Sequence, residues 1–394
     1  MSIKSALLLP KSAYTSDAWF NREMATVFEQ NWQFAGFVED LPEPGDFLTV
    51  QAGRNNIMII RGPDAELRAF HNICRHRGTQ LLRTCGKAGK AITCPYHDWS
   101  YDFKGNLIAV PQQKEEFADL DKSTLGLHAA QISCWDNMIW VHSDPKALSL
   151  EEWRQGVDAY LGPHKISELI EYSNSSTSHE IQANWKLVVE NYIDGYHLSH
   201  LHSTSLDMYD HKQQQSGFCG PHFHFYEPLA AKYAANVDKQ SPLPVIDHFT
   251  SDKPIGAYVP LLFPCFGIGA DESSWSIFWI IPLAANKTKV ITRTRVMPAS
   301  DWRFWTQEWH SYSHYQKQPG TKADKSNQAR QANDNDPLAS GDFMAEDIYV
   351  CEQQQKSLAS PLYSVGAYAS QQESAIREFH RQLLLAMKHS DANS

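Results

Sequence analysis

Cys74-Arg-His76 and, further along, Cys94-Pro-Tyr-His97 are two short motifs that each pair one cysteine with one histidine. Two thiolates and two imidazoles in the order C-x-H and C-x-x-H are the ligands of a Rieske [2Fe-2S] centre, with both cysteines on one iron and both histidines on the other. Because neutral imidazoles replace two anionic thiolates, such a cluster accepts an electron more readily than an all-cysteine cluster. The motifs therefore predict a β domain that carries an electron-transfer cofactor.

A structural zinc ion is the alternative, because two cysteines and two histidines are also a common zinc set. Zinc fingers take both cysteines from one loop and both histidines from the other, whereas each loop here supplies one of each. The flanking residues add a resemblance to the cluster-binding region of Rieske non-haem iron ring-hydroxylating oxygenases, large-subunit type. The resemblance rests on Cys74-Arg-His76-Arg-Gly78, Cys94-Pro-Tyr-His97-Asp-Trp99-Ser-Tyr101 and Gly105-Asn-Leu107.

Respiratory Rieske proteins are a second alternative, and they usually carry an additional cysteine in each cluster loop. The corresponding places here, near Thr79 and Trp99, hold no cysteine. The chain therefore resembles the oxygenase branch, whose clusters have lower reduction potentials. Cys85 is the one thiol between the two motifs, and we interpret it as structural.

Length and composition predict a globular enzyme of two domains. The chain has 394 residues, of which 12% are aromatic and 20% are charged, so it is long enough to bury substantial cores. A net charge of −10 disfavours a nucleic-acid partner, which would need concentrated lysine and arginine. No apolar run approaches the length of a membrane span, and the seven cysteines do not suggest a secreted disulfide framework. We expect a soluble, cytoplasmic protein.

Three consecutive parts are expected. Residues 1–40 are predicted to form a helical segment that packs on the catalytic domain, because apolar residues recur at helical spacing between Ser16 and Phe34. Residues 41–148 are predicted to form an all-β Rieske domain, with the cluster loops at hairpin tips. Residues 149–394 should form an α+β catalytic domain, an antiparallel sheet surrounded by helices. In this third part we expect strands near residues 178–182, 222–226 and 290–296, helices at 185–200, 301–315, 343–358 and 371–388, and a polar loop at 316–336.

A second group of polar residues lies in the run Glu190-Asn191-x-x-Asp194-x-x-His197, with His202 shortly after it. On one continuous helix, Glu190, Asp194 and His197 would share a face, whereas His202 would be rotated away from it. Two imidazoles on one metal therefore require a bend, which we expect near Ser199. Spacing alone leaves His200 open as a competing partner for His197.

The same run resembles the mononuclear-iron motif of the oxygenase family, and the resemblance implies that His197 and His202 are iron ligands. A non-haem iron(II) site of the 2-His-1-carboxylate type needs one further carboxylate and keeps the remaining positions open. Asp347 is our choice, because its surroundings resemble the family segment that supplies this ligand. Glu346 and Asp342 are the alternatives, whereas Asp334 and Asp336 are interpreted as solvated loop residues.

The resemblance also implies how the two centres cooperate. In the family, a carboxylate joins a cluster histidine of one subunit to an iron-ligating histidine of the next, within a head-to-tail trimer. Asp194 matches that carboxylate, so we expect it to link a neighbour's His97 to its own subunit's iron. The chain contains no dinucleotide fingerprint and no plant-type ferredoxin spacing, so electrons from NAD(P)H must come through a partner ferredoxin or flavin reductase. The sequence leaves open whether a beta subunit joins the homotrimer.

The predicted reaction uses O2 to hydroxylate or dihydroxylate a small organic substrate. Asp194-Gly-Tyr-His197 resembles the pattern of members that act on aromatic rings, which favours an aromatic substrate. The alternative is oxidation or N-demethylation of a quaternary ammonium compound by the same iron chemistry. A more distant alternative is a Rieske electron carrier without oxygenase activity, which would bind only the cluster.

Overall fold

A computed structural model describes residues 9–172, 176–203, 205–241, 243–306 and 336–391. Contacts within the chain define two compact units. The first, the β unit, comprises Asn21–Gln155 and Ala386–Ser394, and the second, the mixed unit, comprises Met1–Phe20 and Gly156–Leu385. The predicted domain limits at residues 40 and 148 stay predictions; the contact units change at Phe20 and Gln155.

The β unit is built on a seven-stranded antiparallel sheet with the order β1-β10-β9-β4-β3-β2-β5, and β6, β7 and β8 form a second, small sheet. The apolar runs 57–60 and 138–141 are buried on both faces of their strands. The strands are β1 (Gln33–Phe37), β2 (Asp46–Ala52), β3 (Asn55–Arg61), β4 (Leu67–His71), β5 (Cys85–Lys87), β6 (Ile92–Thr93), β7 (Ser100–Tyr101), β8 (Leu107–Ala109), β9 (Ala129–Trp135) and β10 (Met138–His142).

The mixed unit is built on a nine-stranded antiparallel sheet with the order β11-β19-β18-β17-β15-β14-β13. Beside this path, β12 pairs with β19, and β16 pairs with β14 and β17. The strands are β11 (Ile170–Glu171), β12 (Thr177–Ile181), β13 (Gln215–Cys219), β14 (His222–Pro228), β15 (Gly256–Tyr258), β16 (Leu261–Leu262), β17 (Phe266–Ala270), β18 (Ser274–Ala284) and β19 (Lys287–Val296). The predicted fold class, an all-β domain followed by an α+β domain, is confirmed.

Among the described residues, three α-helices, α5, α9 and α10, have nine or more residues, and the others are shorter. The α-helices are α1 (Ser12–Thr15), α2 (Asp17–Glu23), α3 (Gln113–Glu116), α4 (Leu150–Trp153), α5 (Trp185–Ile193), α6 (Leu198–Leu201), α7 (Ala231–Ala234), α8 (Val237–Gln240), α9 (Phe343–Leu358) and α10 (Ser374–Asp391). A π-helix covers Met24–Phe28, and 3-10 turns cover Val38–Asp40, Lys122–Thr124, Val157–Ala159, Ile166–Glu168 and Pro337–Ala339. Residues 301–306 are helical, and the rest of the helix predicted at 301–315 lies outside the described residues.

Two helix predictions were wrong at their ends. The N-terminal helix stops at Phe28, and residues 33–37 form β1, whose five residues are all buried against β10. Their burial within a sheet outweighs the helical spacing of the aromatic residues in this stretch. The helix predicted at 185–200 ends at Ile193, so Glu190, Asp194 and His197 do not share one helical face.

Helices α5 and α9 run side by side in opposite directions and are joined by side-chain hydrogen bonds near both ends of α5. Gln355 accepts a hydrogen bond from the Asn184 amide at 2.9 Å, at the beginning of α5. Near the other end of α5, the Asn191 side chain donates to Asp347 Oδ1 at 3.0 Å. The partner positions on α9 fall as those on α5 rise, which is the signature of an antiparallel pair.

Candidate metal centres

The two Cys/His loops of the β unit have matching backbone geometry. Cys74 accepts a hydrogen bond from the Gly78 amide, and Cys94 accepts one from the Asp98 amide, each through its carbonyl oxygen. Gly78 has a φ of +76° and Asp98 a φ of +55°, so the fifth residue of each loop is left-handed. Glycine and aspartate are among the residues that tolerate this conformation best, and the turns bury both cysteines.

The two histidines of these loops come together beside the cysteines. The rings of His76 and His97 lie 4.7 Å apart, and His76 stacks on Trp99 at 4.7 Å with an interplanar angle of 7°. Among the described atoms, Nδ1 of His76 is buried without a hydrogen-bond partner. Burial, then the nearby His97 and Arg77, lower the pKa of His76, which favours the neutral imidazole that a metal requires. The four side chains therefore fit a [2Fe-2S] cluster.

Tyr101 belongs to the second cluster motif, but the sequence did not indicate what its side chain does. Its side chain is fully buried, and its hydroxyl lies 3.4 Å from Cys74 Sγ. The Arg75 amide donates to the same hydroxyl oxygen at 3.0 Å, so the phenolic hydrogen is available to the sulfur. Burial and the contact with Cys74 raise the pKa of Tyr101 above its ordinary value, which keeps the phenol protonated.

A second group of ligand atoms forms in the mixed unit from His197, His202 and Asp347. Asp347 Oδ1 lies 3.0 Å from His202 Nε2 and 3.6 Å from His197 Nε2. One ligand atom from each of the three residues lies within 4.8 Å of the other two. Two imidazoles and a carboxylate in this arrangement fit the facial triad of a non-haem iron site.

Each histidine of this group is held by a second carboxylate on its opposite ring nitrogen. His197 Nδ1 lies 3.0 Å from Asp194 Oδ2, and His202 Nδ1 lies 2.7 Å from Glu346 Oε2. Ser205 donates to the same Glu346 oxygen at 2.8 Å. Each ring donates Nδ1–H to a carboxylate and directs Nε2 at Asp347. Metal-binding histidines are commonly oriented by a carboxylate in this way.

Burial lowers the pKa of His202, but the hydrogen bonds that its ring nitrogens donate to Asp347 and Glu346 outweigh burial and raise the pKa to about 9. Two carboxylates thus surround an imidazole that is almost fully buried. Such a concentration of negative charge favours a cation at this position, and a metal ion can take the place of the proton on Nε2.

The break after α5 brings the two histidines together. Asp194 is extended, with a φ of −81° and a ψ of 115°, and its Oδ1 accepts the Tyr196 amide at 2.7 Å. Because Asp194 bonds locally, the helix ends before it and restarts as α6 after His197. The bend predicted near Ser199 therefore lies earlier in the chain, at 194–196.

The other predicted candidates lie elsewhere. Glu190 points away from the three ligand atoms and contacts Tyr14 and His380. His200 is exposed, with its ring 5.6 Å from that of Tyr196. Asp342 caps α9 and Asp336 caps a 3-10 turn, each through backbone amides, whereas Asp334 lies outside the described residues.

Residues 171–389, more than half of the chain, match the family profile described as "Ring hydroxylating alpha subunit (catalytic domain)". The chain belongs to this family. Residues 31–134 match a second profile, the Rieske [2Fe-2S] domain. The predicted family is thus confirmed, together with its two cofactor types, a Rieske cluster and a mononuclear iron.

Curated relatives of this alpha-subunit chain include oxygenases of two kinds. It is 34% identical over 200 residues to the glycine betaine monooxygenase oxygenase subunit of Chromohalobacter salexigens, covering 50% of this chain and 44% of that protein. It is 33% identical over 217 residues to the large oxygenase component of the naphthalene 1,2-dioxygenase system of Pseudomonas aeruginosa, covering 52% and 48%. The chain thus matches about half the length of these relatives.

Solved structures share the fold of this alpha-subunit chain over nearly its whole length. A quaternary ammonium Rieske monooxygenase superposes with a TM-score of 0.74 at 22% identity, covering 98% of this chain and 97% of the other. Naphthalene 1,2-dioxygenase from Rhodococcus sp. superposes with a TM-score of 0.70 at 19% identity, covering 96% and 94%. Among the described residues, no helix combines the length and apolar character that a membrane crossing requires.

Proposed function

We propose that this chain is the terminal oxygenase component of a Rieske non-haem iron system. It uses O2 and electrons that a partner reductase takes from NAD(P)H to oxidise a small organic substrate. The observation that carries this proposal is the convergence of His197, His202 and Asp347, each held by a further polar side chain. A cytoplasmic location and a homotrimer belong to the same proposal.

Each proposed cofactor has a defined set of residues. Cys74, His76, Cys94 and His97 would hold the cluster, and His197, His202 and Asp347 would hold the mononuclear iron. When bound, the cluster supplies single electrons, and the iron supplies the open positions at which O2 is activated beside the substrate. The contacts of Glu346 argue against it as the third ligand, because it bonds His202 at Nδ1, the ring nitrogen opposite the Nε2 that faces Asp347.

The remaining polar residues would orient these ligands. Asp194 and Glu346 accept the Nδ1 protons of His197 and His202, so Nε2 is the nitrogen that each ring would present to a metal. Asn191 donates to Asp347 Oδ1 and so restrains the rotation of that carboxylate.

Asp194 would also connect one subunit with the next. Its Oδ2 contacts His197, the iron-ligand candidate, and its side chain is only partly buried. In a head-to-tail trimer, Asp194 would bridge a neighbour's His97 to its own subunit's His197. A heterologous interface that closes into a ring is therefore part of the proposed mechanism.

An aromatic substrate is the first candidate. It is supported by the aspartate at the bridging position, because the run Asp194-Gly-Tyr-His197 resembles the pattern of family members that act on aromatic rings. Oxidation of a quaternary ammonium compound is the second candidate, and it is supported by sequence similarity to glycine betaine and carnitine monooxygenase oxygenase subunits. Both candidates use the same metal centres and differ only in the residues that contact the substrate.

A substrate panel tests this proposal. Purified chain, an NADH-dependent reductase and O2 would be combined with aromatic carboxylates, fused aromatic rings, glycine betaine and carnitine. The proposal expects substrate-dependent oxygen uptake and an oxygenated or demethylated product with one class. A chain that transfers electrons to artificial acceptors but consumes oxygen with none of these compounds would favour the electron-carrier alternative.

A further inference from the structure

The N-terminal segment 9–15 lies outside both family matches, which begin at residues 31 and 171. It is nevertheless held firmly within the mixed unit. Leu9, Ala13 and Tyr14 are all buried, with at most 5% of their surfaces exposed. Burial of these three side chains contributes to the packing of the elements that the segment covers.

Tyr14 contributes the central polar contact of this segment. Its hydroxyl donates to Glu190 Oε1 at 2.7 Å, and His380 Nε2 donates to the same oxygen at 2.8 Å. Tyr14, Glu190 and His380 come from α1, α5 and α10, which are far apart in sequence. All three side chains are buried, so water cannot supply a hydrogen bond that is lost there.

The same segment also makes hydrogen bonds to α9 and to the residues just after it. Gln355 Nε2 donates to the Tyr14 carbonyl oxygen at 3.2 Å, and Lys11 Nζ donates to the Ser360 carbonyl oxygen at 3.0 Å. Gln355 is also the residue that accepts the Asn184 amide at the beginning of α5. The segment therefore spans the antiparallel pair of α5 and α9 and is hydrogen-bonded to both helices.

One of the proposed iron ligands, Asp347, lies on α9 where this helix contacts the C-terminal part of α5. Asn191 follows Glu190 directly on α5, and its side chain donates to Asp347 Oδ1 on α9. Because a helix transmits rotation and translation over one residue almost rigidly, the position of Glu190 determines that of Asn191. Contacts on Glu190 thus affect the carboxylate of Asp347.

We infer that Tyr14 is a positioning residue for the mononuclear iron site, acting through Glu190 and Asn191 on Asp347. This inference rests on the proposed function, because it requires that His197, His202 and Asp347 bind iron. The hydrogen bond from Tyr14 holds α5 against α9 at the separation that lets Asn191 reach Asp347. Nothing in either family match assigns a role to residue 14.

The test compares two tyrosines that make the same chemical contact in different places. Tyr14→Phe removes the hydrogen bond to Glu190 and keeps the ring, which lies 5.3 Å from Lys186 Nζ. Tyr233→Phe is the matched control, because Tyr233 donates to the buried Glu272 at 2.9 Å but belongs to α7, not to the α5 and α9 pair. Both variants lose one phenol-to-carboxylate hydrogen bond within the mixed unit.

The measurement is the dissociation constant for Fe(II), obtained without oxygen by competition with a coloured chelator. Each protein retains its [2Fe-2S] cluster, whose absorption reports intact folding of the β unit. We expect Tyr14→Phe to weaken Fe(II) binding about tenfold, at the lower end of the effect of outer contacts on metal sites. Tyr233→Phe should stay within about twofold of the parent, although both variants should unfold at lower temperatures.

His380→Leu provides a second test, because it removes the other donor to Glu190 Oε1 and should also weaken Fe(II) binding. Equal Fe(II) affinities for Tyr14→Phe and Tyr233→Phe would overturn the inference, since the contact would then serve stability alone. A parent chain that binds no third iron would instead overturn the proposed function. The two failures are therefore distinguishable in one set of titrations.

Discussion

The orientation of single side chains distinguishes the iron-site candidates from their neighbours. The sequence predicted His197, His202 and Asp347 from a resemblance, and their ligand atoms converge. Residue spacing alone could not separate Asp347 from Glu346, because adjacent residues of a helix point about 100° apart and the choice depends on the rotation of α9. The structure turns Glu346 to the Nδ1 side of His202 and Asp347 to the Nε2 side.

The roles of Tyr101 and Asn191 could not be predicted for a related reason. Both residues lie within the motifs that the sequence displays, but their partners are distant in the chain. Tyr101 contacts Cys74, and Asn191 contacts Asp347. Only the folded chain brings these pairs into hydrogen-bond range, so a motif can mark such a residue without revealing what it does.

Tyr101→Phe should lower the reduction potential of the cluster. A hydrogen bond to a ligand sulfur stabilises the more negative, reduced state, and the variant removes the hydroxyl that lies 3.4 Å from Cys74 Sγ. We expect a shift of roughly 60 mV, the equivalent of a tenfold change for a one-electron couple. Spectroelectrochemical titration measures it, with Tyr96→Phe as an exposed control, and an unchanged potential would contradict the assignment.

Among the secondary-structure elements, α9 and three strands of the mixed unit were predicted well. The helix predicted at 343–358 has the same bounds in the structure, where Asp342 caps its N-terminus. The strands predicted near 178–182, 222–226 and 290–296 correspond to β12, β14 and β19. Local signals sufficed where burial, turn residues and propensity agreed.

The end of α5 shows where local signals were misread. The helix was predicted to extend to residue 200 because polar residues recur at helical spacing. In the structure, Asp194 and Gly195 end it after Ile193. Aspartate followed by glycine is a turn signal, and the Asp194 side chain accepts the Tyr196 amide as such turns require. The helical spacing of the metal-binding motif concealed the signal, because residues 198–201 are helical again.

Asp342→Ala should destabilise the mixed unit without removing the mononuclear iron. Asp342 Oδ1 accepts the Met344 and Ala345 amides at the start of α9, and losing such a cap costs about 1 kcal/mol. Urea unfolding should show an earlier midpoint, while iron analysis still finds a third iron per chain. Loss of that iron with unchanged stability would mean that Asp342 is a ligand, as one of the sequence alternatives held.

At the scale of the whole molecule, the structure of a single chain does not reveal how subunits assemble. The proposed electron path requires His97 of one subunit and Asp194 of another, so it depends on an interface that no property of one chain specifies. The similarity to known alpha subunits establishes the family, and the trimer stays a proposal.

Asp194→Asn tests the proposed path between subunits. An asparagine retains the shape of the side chain but removes the charge that receives the Nδ1 proton of His197. We expect turnover to fall roughly 100-fold, at the upper end of the effect of such outer contacts, with all three irons still present. Rapid-mixing measurements should show a reduced cluster that reoxidises slowly. Unaltered turnover would exclude the bridging role.

The central claim is that this chain holds a mononuclear iron in addition to its Rieske cluster. Iron and acid-labile sulfide analysis of the parent and of His202→Ala tests it most directly, because His202 is a candidate ligand only of the second centre. We predict three irons and two sulfides per parent chain, and two irons and two sulfides in the variant, with unchanged cluster absorption. Equal iron contents in both proteins, or loss of the cluster from His202→Ala, would contradict the account.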